Sequence, residues 1–315
     1  MVNFLPHPYP DEHFYSLLTR CHMRSADKKL RKTLKGLLGY SSKKLFRQDL
    51  PDGLSNLMMS LPPASPHFVE DLIQNHTLYP FYKSFLTPSE AWLLKHRMIK
   101  ATNESFISLA KLSPDGLDSN RKFLQFCPAC LEEEEARYGE AYWHRMHQAP
   151  GVFVCSNHKV PLQDSLIPLH NIDREYVPAN TYNCPNNRSK NRYSEVALQT
   201  LLTLYDDIEW LMYSAPSFKG LKWLRKRYQT FLTQQDYVST LPKSKSDFNS
   251  QTLFEDITNF YGLEVLDLIK PDKVANMKVY LECCLLACDI DQVIDRITHL
   301  LLIKFLSGSL EHFFN

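Results

Sequence analysis

Two short cysteine and histidine spacings restrict this chain more than anything else in it. Cys127-Pro128-Ala129-Cys130 and Cys155-Ser156-Asn157-His158 each place two metal-binding side chains three positions apart. Each spacing suits a tight knuckle that presents both ligands to one ion. Together they make a Cys3His set. Thiolates and imidazole suit Zn2+, and four protein ligands fill a tetrahedron without leaving a position for water. The expectation is therefore one structural zinc on Cys127, Cys130, Cys155 and His158. Pro128, Ala129, Ser156 and Asn157 fit knuckle loops better than they fit a core strand. His144 and His147 are alternative ligands to His158. Because His158 completes the second knuckle, the other two read as packing or partner-contact residues.

The residues flanking the knuckles place this site in a larger, mainly helical protein. With 315 residues, 44% of them hydrophobic and only nine glycines, the chain can bury substantial cores and favours helix over sheet. Periodic apolar positions predict helices over residues 12–23, where Phe14, Leu17, Leu18 and Cys21 share a face, and over a second run carrying Leu30, Leu34, Leu37 and Leu38 up to Gly39. Asp11 reads as the N-cap of the first. Further helices are expected over 54–61, 68–75, 88–100, 131–138, 194–213, 219–232, 251–260, from 277 onward, 293–305 and 309–314. A third short helix over 41–46 would complete a helix-turn-helix-like unit. Short strands at 123–126 and 152–154 would lead into the two knuckles, the arrangement of a zinc ribbon. The acidic run 132–135 is placed in the first turn of its helix, where it would complement the helix dipole. Phe313 and Phe314 read as exposed aromatics awaiting a partner surface or further chain. The organisation expected is a helical N-terminal domain over 1–115 with turn residues 113–116 at its end, a zinc module over 116–180 and a helical C-terminal region over 181–315.

Charge is segregated although the net value is only +1. Residues 20–47 hold ten Lys or Arg against the single acid Asp27. Arg24, Lys28, Lys29, Arg31, Lys32, Lys35, Lys43, Lys44 and Arg47 of that stretch are candidate nucleic-acid contacts. A second set comprises Lys222, Arg225, Lys226 and Arg227, with Lys243 and Lys245 in the loop beyond. Separated basic patches can draw a polyanion while the whole chain stays near neutral. The competing reading, a solvated face of a helical bundle, is equally compatible with the pattern.

The opening residues lack a basic, apolar leader pattern, and no uncharged apolar run reaches the ~18 residues of a membrane span. A soluble, cytoplasmic protein is expected. A zinc deaminase would need three ligands with an open position and a His-x-Glu before Pro-Cys-x-x-Cys. Here no His-x-Glu precedes Cys127, and the order is Cys127-Pro128. The sequence carries neither paired carboxylates nor a Gly-rich phosphate loop, so no enzymatic activity is expected.

Several stretches together resemble the TniQ family, and within it the TnsD-type target-site selectors of Tn7-like transposons. They are the Pro-x-Pro-x-Pro-Asp-Glu opening that runs to Leu18, Asn75-His76-Thr77-Leu78-Tyr79-Pro80-Phe81-Tyr82, Phe126-Cys127-Pro128-Ala129-Cys130, Tyr138-Gly139-Glu140-Ala141-Tyr142-Trp143-His144-Arg145 and Cys155-Ser156-Asn157-His158. The likeness is specific through about residue 165 and looser beyond. It implies a non-enzymatic role: binding double-stranded DNA at a chosen site and recruiting an AAA+ ATPase that brings in the transposase. In CRISPR-associated relatives an RNA-guided complex replaces the DNA site, which is the alternative reading. The resemblance puts ATPase recruitment in the N-terminal part and DNA contacts in the helices beyond the zinc module. Members of the TnsD type are usually longer, with further DNA-binding helices at the C-terminus.

Overall fold

Apolar side chains at helical spacing, punctuated by Gly, Pro and capping residues, generate a chain that is mostly helix in the computed structural model. It describes residues 4–25, 27, 29–39, 50–63, 68–100, 121–169, 176–186, 193–214, 216–238, 249–269 and 296–315. The expected helix at 41–46, the turn at 113–116 and the apolar helix from 277 fall outside these residues.

The N-terminal part contains α1 (Phe14–Met23), α2 (Leu30–Leu38), α3 (Leu54–Ser60), α4 (Val69–His76), α5 (Tyr79–Lys83) and α6 (Pro88–Ile99). Gly39 ends α2 in the left-handed conformation at φ 73°, as expected of a C-cap glycine. α6 begins with a full capping box: the Thr87 side chain accepts from the Glu90 amide, and the Thr87 amide donates to Glu90 Oε2 at 2.8 Å. The aromatic stretch Tyr79-Pro80-Phe81-Tyr82 is buried core.

Next come β1 (Phe123–Phe126), α7 (Pro128–Tyr138), α8 (Arg145–Gln148), β2 (Val154–Cys155), β3 (Val160–Pro161) and β4 (Gln163–Pro168). β1 pairs antiparallel with β4, and β2 with β3. Two expectations need correction here. α7 starts at Pro128, three residues earlier than expected, because proline is well suited to the first helical turn. The acidic run 132–135 consequently lies beyond the first turn. The second strand is confined to Val154–Cys155, since only there does β3 supply a partner.

The C-terminal part contains α9 (Glu195–Ser214), α10 (Leu221–Gln234), α11 (Ser250–Tyr261), α12 (Leu263–Ile269), α13 (Arg296–Ser307) and α14 (Leu310–Phe314). α9 buries Ala197, Leu201, Leu204, Ile208 and Leu211 along one face and runs about 30 Å at 1.5 Å per residue. That face lies against both α5 and β2, so one continuous buried cluster extends from Leu5 to Phe314. Gly151 shows how close the approach is. At φ 84° it already favours glycine, and a Cβ there would come within 3.1 Å of Ile208 Cδ1 and Ile297 Cδ1. Phe313 and Phe314 are buried rather than exposed, which corrects the sequence expectation. α14 folds back so that their rings meet Trp223 and Phe231 of α10 and Trp210 of α9. Among the described residues, no helix is long and apolar enough to cross a membrane.

A further correction concerns Asp11 at the N-terminus. His13, not Asp11, caps α1, accepting from the Tyr15 amide. Asp11 instead reaches across the chain: its Oδ2 accepts from the Met146 amide at 3.0 Å, in the first turn of α8, and its Oδ1 accepts from Arg145 Nε at 3.1 Å. Its backbone carbonyl takes the Arg145 amide at 2.7 Å, while the His13 amide donates to Trp143 O at 2.8 Å. Burial raises the Asp11 carboxyl, but the His144 hydrogen bond and the charges of Arg145 and His144 outweigh it and hold it low. The fully buried Arg145 also donates to Gln74 O at 2.6 Å, tying α4 to the same point. Replacing Asp11 with Ala should leave a buried guanidinium short of its counter-charge and cost about 3–5 kcal/mol. Urea unfolding checks this against Lys32→Ala, which removes an exposed pair with Asp27 and should leave the midpoint nearly unchanged.

His299 on α13 gives a second expectation. Its Nδ1 shares a hydrogen bond with the Tyr228 hydroxyl at 2.6 Å, and burial, helped by the Arg296 charge, pushes it down to about 3. An unfolded histidine binds its proton near pH ~6.5, so the stability from keeping His299 neutral is complete above that pH. It is lost as pH falls from about 6.5 towards 3, with a slope of at most about 1.4 kcal/mol per pH unit. Denaturant midpoints measured between pH 7 and 4 should fall more steeply for the native chain than for His299→Gln.

Candidate metal centre

The two knuckles reach one point from opposite directions. β1 ends on Phe126 and delivers Cys127 as the N-cap of α7; one helical turn on, Cys130 faces the same side. The hairpin of β2 and β3 supplies the other pair. Cys155 ends β2, and the turn after it brings His158 round before Lys159, at φ 52°, returns the chain to β3. The Lys159 amide closes that turn on Cys155 O at 2.8 Å.

The resulting distances suit a tetrahedral ion. His158 Nδ1 lies 3.6 Å from Cys127 Sγ, 3.4 Å from Cys130 Sγ and 3.6 Å from Cys155 Sγ. Cys130 and Cys155 sulfurs are 3.6 Å apart, and all four donor atoms lie within 4.8 Å of one another. Zinc bonds of about 2.3 Å to sulfur and 2.0–2.1 Å to nitrogen imply tetrahedral edges of about 3.5 Å for S–N and 3.8 Å for S–S. The donor chemistry fits as well. The hydrogen bonds of Cys127 and Cys130 to Cys155 drive its thiol far down, while the hydrogen bonds of Cys130 with Cys127 and with Cys155 drive Cys130 far up. Three sulfurs this close cannot all ionise unaided; a dication removes the conflict by binding all three as thiolates.

Glu133 completes the arrangement and was not among the sequence candidates. Its Oε1 lies 3.0 Å from His158 Nε2, the nitrogen facing away from the sulfurs, so it fixes the ring with Nδ1 directed inward. The signal was present: Glu133 follows Cys130 by three positions on α7, close to the same helical face. Glu134, one position further, pairs with His144 Nε2, and His144 is pushed up to about 10 because Asp11 and Glu134 outweigh its burial. His144 stands at the N-cap position of α8 without a side-chain capping bond, and His147 lies within the helix, their ring centroids 4.5 Å apart. A second donor group of Cys130, Glu134 and His144 shares Cys130 with the first. Beside it a polar cavity of about 310 Å³ is lined by Asp11, Glu134, His144, His147, Tyr205 and Glu209.

The basic candidates separate into different environments. Arg24 Nη2 meets Glu140 Oε1 at 2.5 Å, and Lys32 pairs with Asp27 at 2.9 Å. Lys29, Arg31 and Lys35 are exposed on or just before α2. Lys222, Arg225 and Lys226 line one shallow groove along α10. Arg227 turns away from it: its guanidinium donates to Phe313 O and His312 O at 2.9 Å, closing the C-terminal end of α14. Lys28, Lys43, Lys44, Arg47, Lys243 and Lys245 lie outside the described residues.

The knuckles, the Asp11 clasp and α1 to α8 all fall inside one matched region, since a TniQ family model covers residues 3–162. The chain belongs to the TniQ family. It is also 28% identical over 161 residues to the transposon Tn7 transposition protein TnsD of Escherichia coli, a match covering 50% of this chain and 30% of that protein. The chain thus spans about a third of the length of this TniQ relative. All four donors of the Cys3His cluster lie within the family match.

If these four residues hold a single structural zinc, the purified chain should contain one equivalent by elemental analysis. Cys127→Ser should lose it together with a large part of the thermal stability, because metal binding and folding of so small a module are linked. Glu133→Ala should keep the fold and weaken zinc affinity about 10- to 100-fold in chelator competition.

Proposed function

We propose that this chain is a target-site selector of a Tn7-like transposon. It binds double-stranded DNA at the insertion site and recruits an AAA+ ATPase regulator, through which the transposase arrives. It is not itself an enzyme. The observation that carries this reading is the TniQ match over residues 3–162, supported by the likeness to a Tn7 transposition protein.

The physical features are consistent with it. A Cys3His set is complete without water, so zinc bound there would supply a rigid cross-link rather than a catalytic centre. The knuckles contact α9 through β2, and the N-terminal helices reach the same region through Asp11 and Arg145. This hub would hold an ATPase-facing N-terminal part and a DNA-facing C-terminal part in fixed register. Exposed cations on α2 and α10 would neutralise phosphates and release counterions.

The test is fluorescence anisotropy of the chain on duplex DNA from the transposon's insertion-site neighbourhood and on a scrambled duplex, across a salt series. Tighter binding to the cognate duplex is expected, with log affinity falling against log salt by about 0.9 per phosphate neutralised. The AAA+ ATPase encoded with the transposon should be retained on immobilised DNA only when the chain is present. Equal retention without it, or no duplex binding at low salt, would overturn the reading.

A further inference from the structure

α10 has two faces of different character. Leu224, Tyr228, Phe231 and Leu232 are buried, and the Tyr228 and Phe231 rings pack on His299 and Phe313. The opposite face contains no acid, nor does any other position of α10. Its central stripe is Lys222, Lys226, Gln229 and Thr233, spaced i, i+4, i+7 and i+11, with Arg225 and Thr230 alongside. An ordinary solvated face mixes charges of both signs. Here the cations occupy the first half of the helix, while amides and hydroxyls occupy the second.

This order matches a division of labour at duplex DNA. Cations position a helix on phosphates, whereas amides and hydroxyls can read the donor and acceptor pattern of base edges. At 1.5 Å per residue the helix is about 21 Å long, and its 10–12 Å diameter fits a major groove about 12 Å wide. The Thr230 and Thr233 hydroxyls donate to Lys226 O and Gln229 O at 2.9 and 2.8 Å, which leaves their lone pairs outward. Arg227 is excluded from this face by its bonds to α14.

We propose that the outward face of α10 enters the major groove of duplex DNA, with Lys222, Arg225 and Lys226 on phosphates and Gln229, Thr230 and Thr233 on base edges. This rests on the reading of the chain as a DNA-site selector and assigns the site of recognition to one helix.

The experiment uses the full chain, with circular dichroism confirming that each surface variant folds. Anisotropy on the insertion-site duplex across a salt series should show Lys222→Ala and Lys226→Ala each binding more weakly and each lowering the salt slope by about 1. Gln229→Ala should leave that slope unchanged. In sequencing of the fraction bound from a partly randomised duplex pool, Gln229→Ala should lose about tenfold discrimination at one base position. If the native chain binds duplex DNA and these variants match it in slope and preference, the assignment to α10 is wrong while the selector reading stands. If the native chain binds no duplex, both fall. Preferential binding of single-stranded RNA, weakened by the same lysine variants, would make the face an RNA surface and overturn the proposal.

Discussion

One carboxylate holds together parts of the chain separated by more than a hundred residues. Asp11 caps α8, pairs with the buried Arg145 and sits beside His144, while its own backbone bonds to that of Arg145. The extended, proline-rich start of the chain buries Leu5 and stacks Tyr9 on Tyr138 and Tyr142, but apolar contact is non-directional and does not by itself fix where that segment docks. Directional bonds to a charged, desolvated partner supply the missing specificity. Once Asp11 is in place, Arg20 on α1 can join Glu12 at 2.6 Å and Glu140 at 2.8 Å, and Arg145 can reach α4. α7 joins the same network through Glu134, which meets His144 and accepts from the Tyr142 amide.

The metal module then meets the large helical core rather than standing apart from it. Short strands of two to six residues cannot form a stable sheet on their own. An ion held by the four donors would join the start of α7 to the β2–β3 hairpin, and α9 packs against β2 of that hairpin. The same helix continues to α5, so the module is clamped between N-terminal and C-terminal helices.

Much of this was legible in the sequence because it depends on local chemistry. The knuckle spacings, the apolar periodicity of the first two helices and the stop at Gly39 each involve residues a few positions apart. Apart from the early start of α7, the sequence readings that failed involve partners far away. Asp11 precedes α1 and has the right side chain for an N-cap, yet its partners are 134 and 135 positions distant. Phe313 and Phe314 look exposed at a chain end because the aromatic surface that receives them is formed by α9 and α10. Arg227 reads as one more cation in a basic run, and only the return of α14 shows that its guanidinium closes a helix end. Glu133 is a different case: its spacing from Cys130 is legible, but in a run of four glutamates only the position of His158 singles it out.

Gly151 carries a mechanical consequence. Just before the second knuckle, a methyl group at this position would sit 3.1 Å from Ile208 Cδ1 of α9 and Ile297 Cδ1 of α13, and both would have to give by a few tenths of an ångström to admit it. Closely packed interiors resist compression, so this contact behaves as a stiff bearing rather than a soft cushion. A load applied to the C-terminal helices would pass through two isoleucines to the hairpin that bears Cys155 and His158. The lack of a side chain at one position thus sets how rigidly the two halves of the protein are geared to each other.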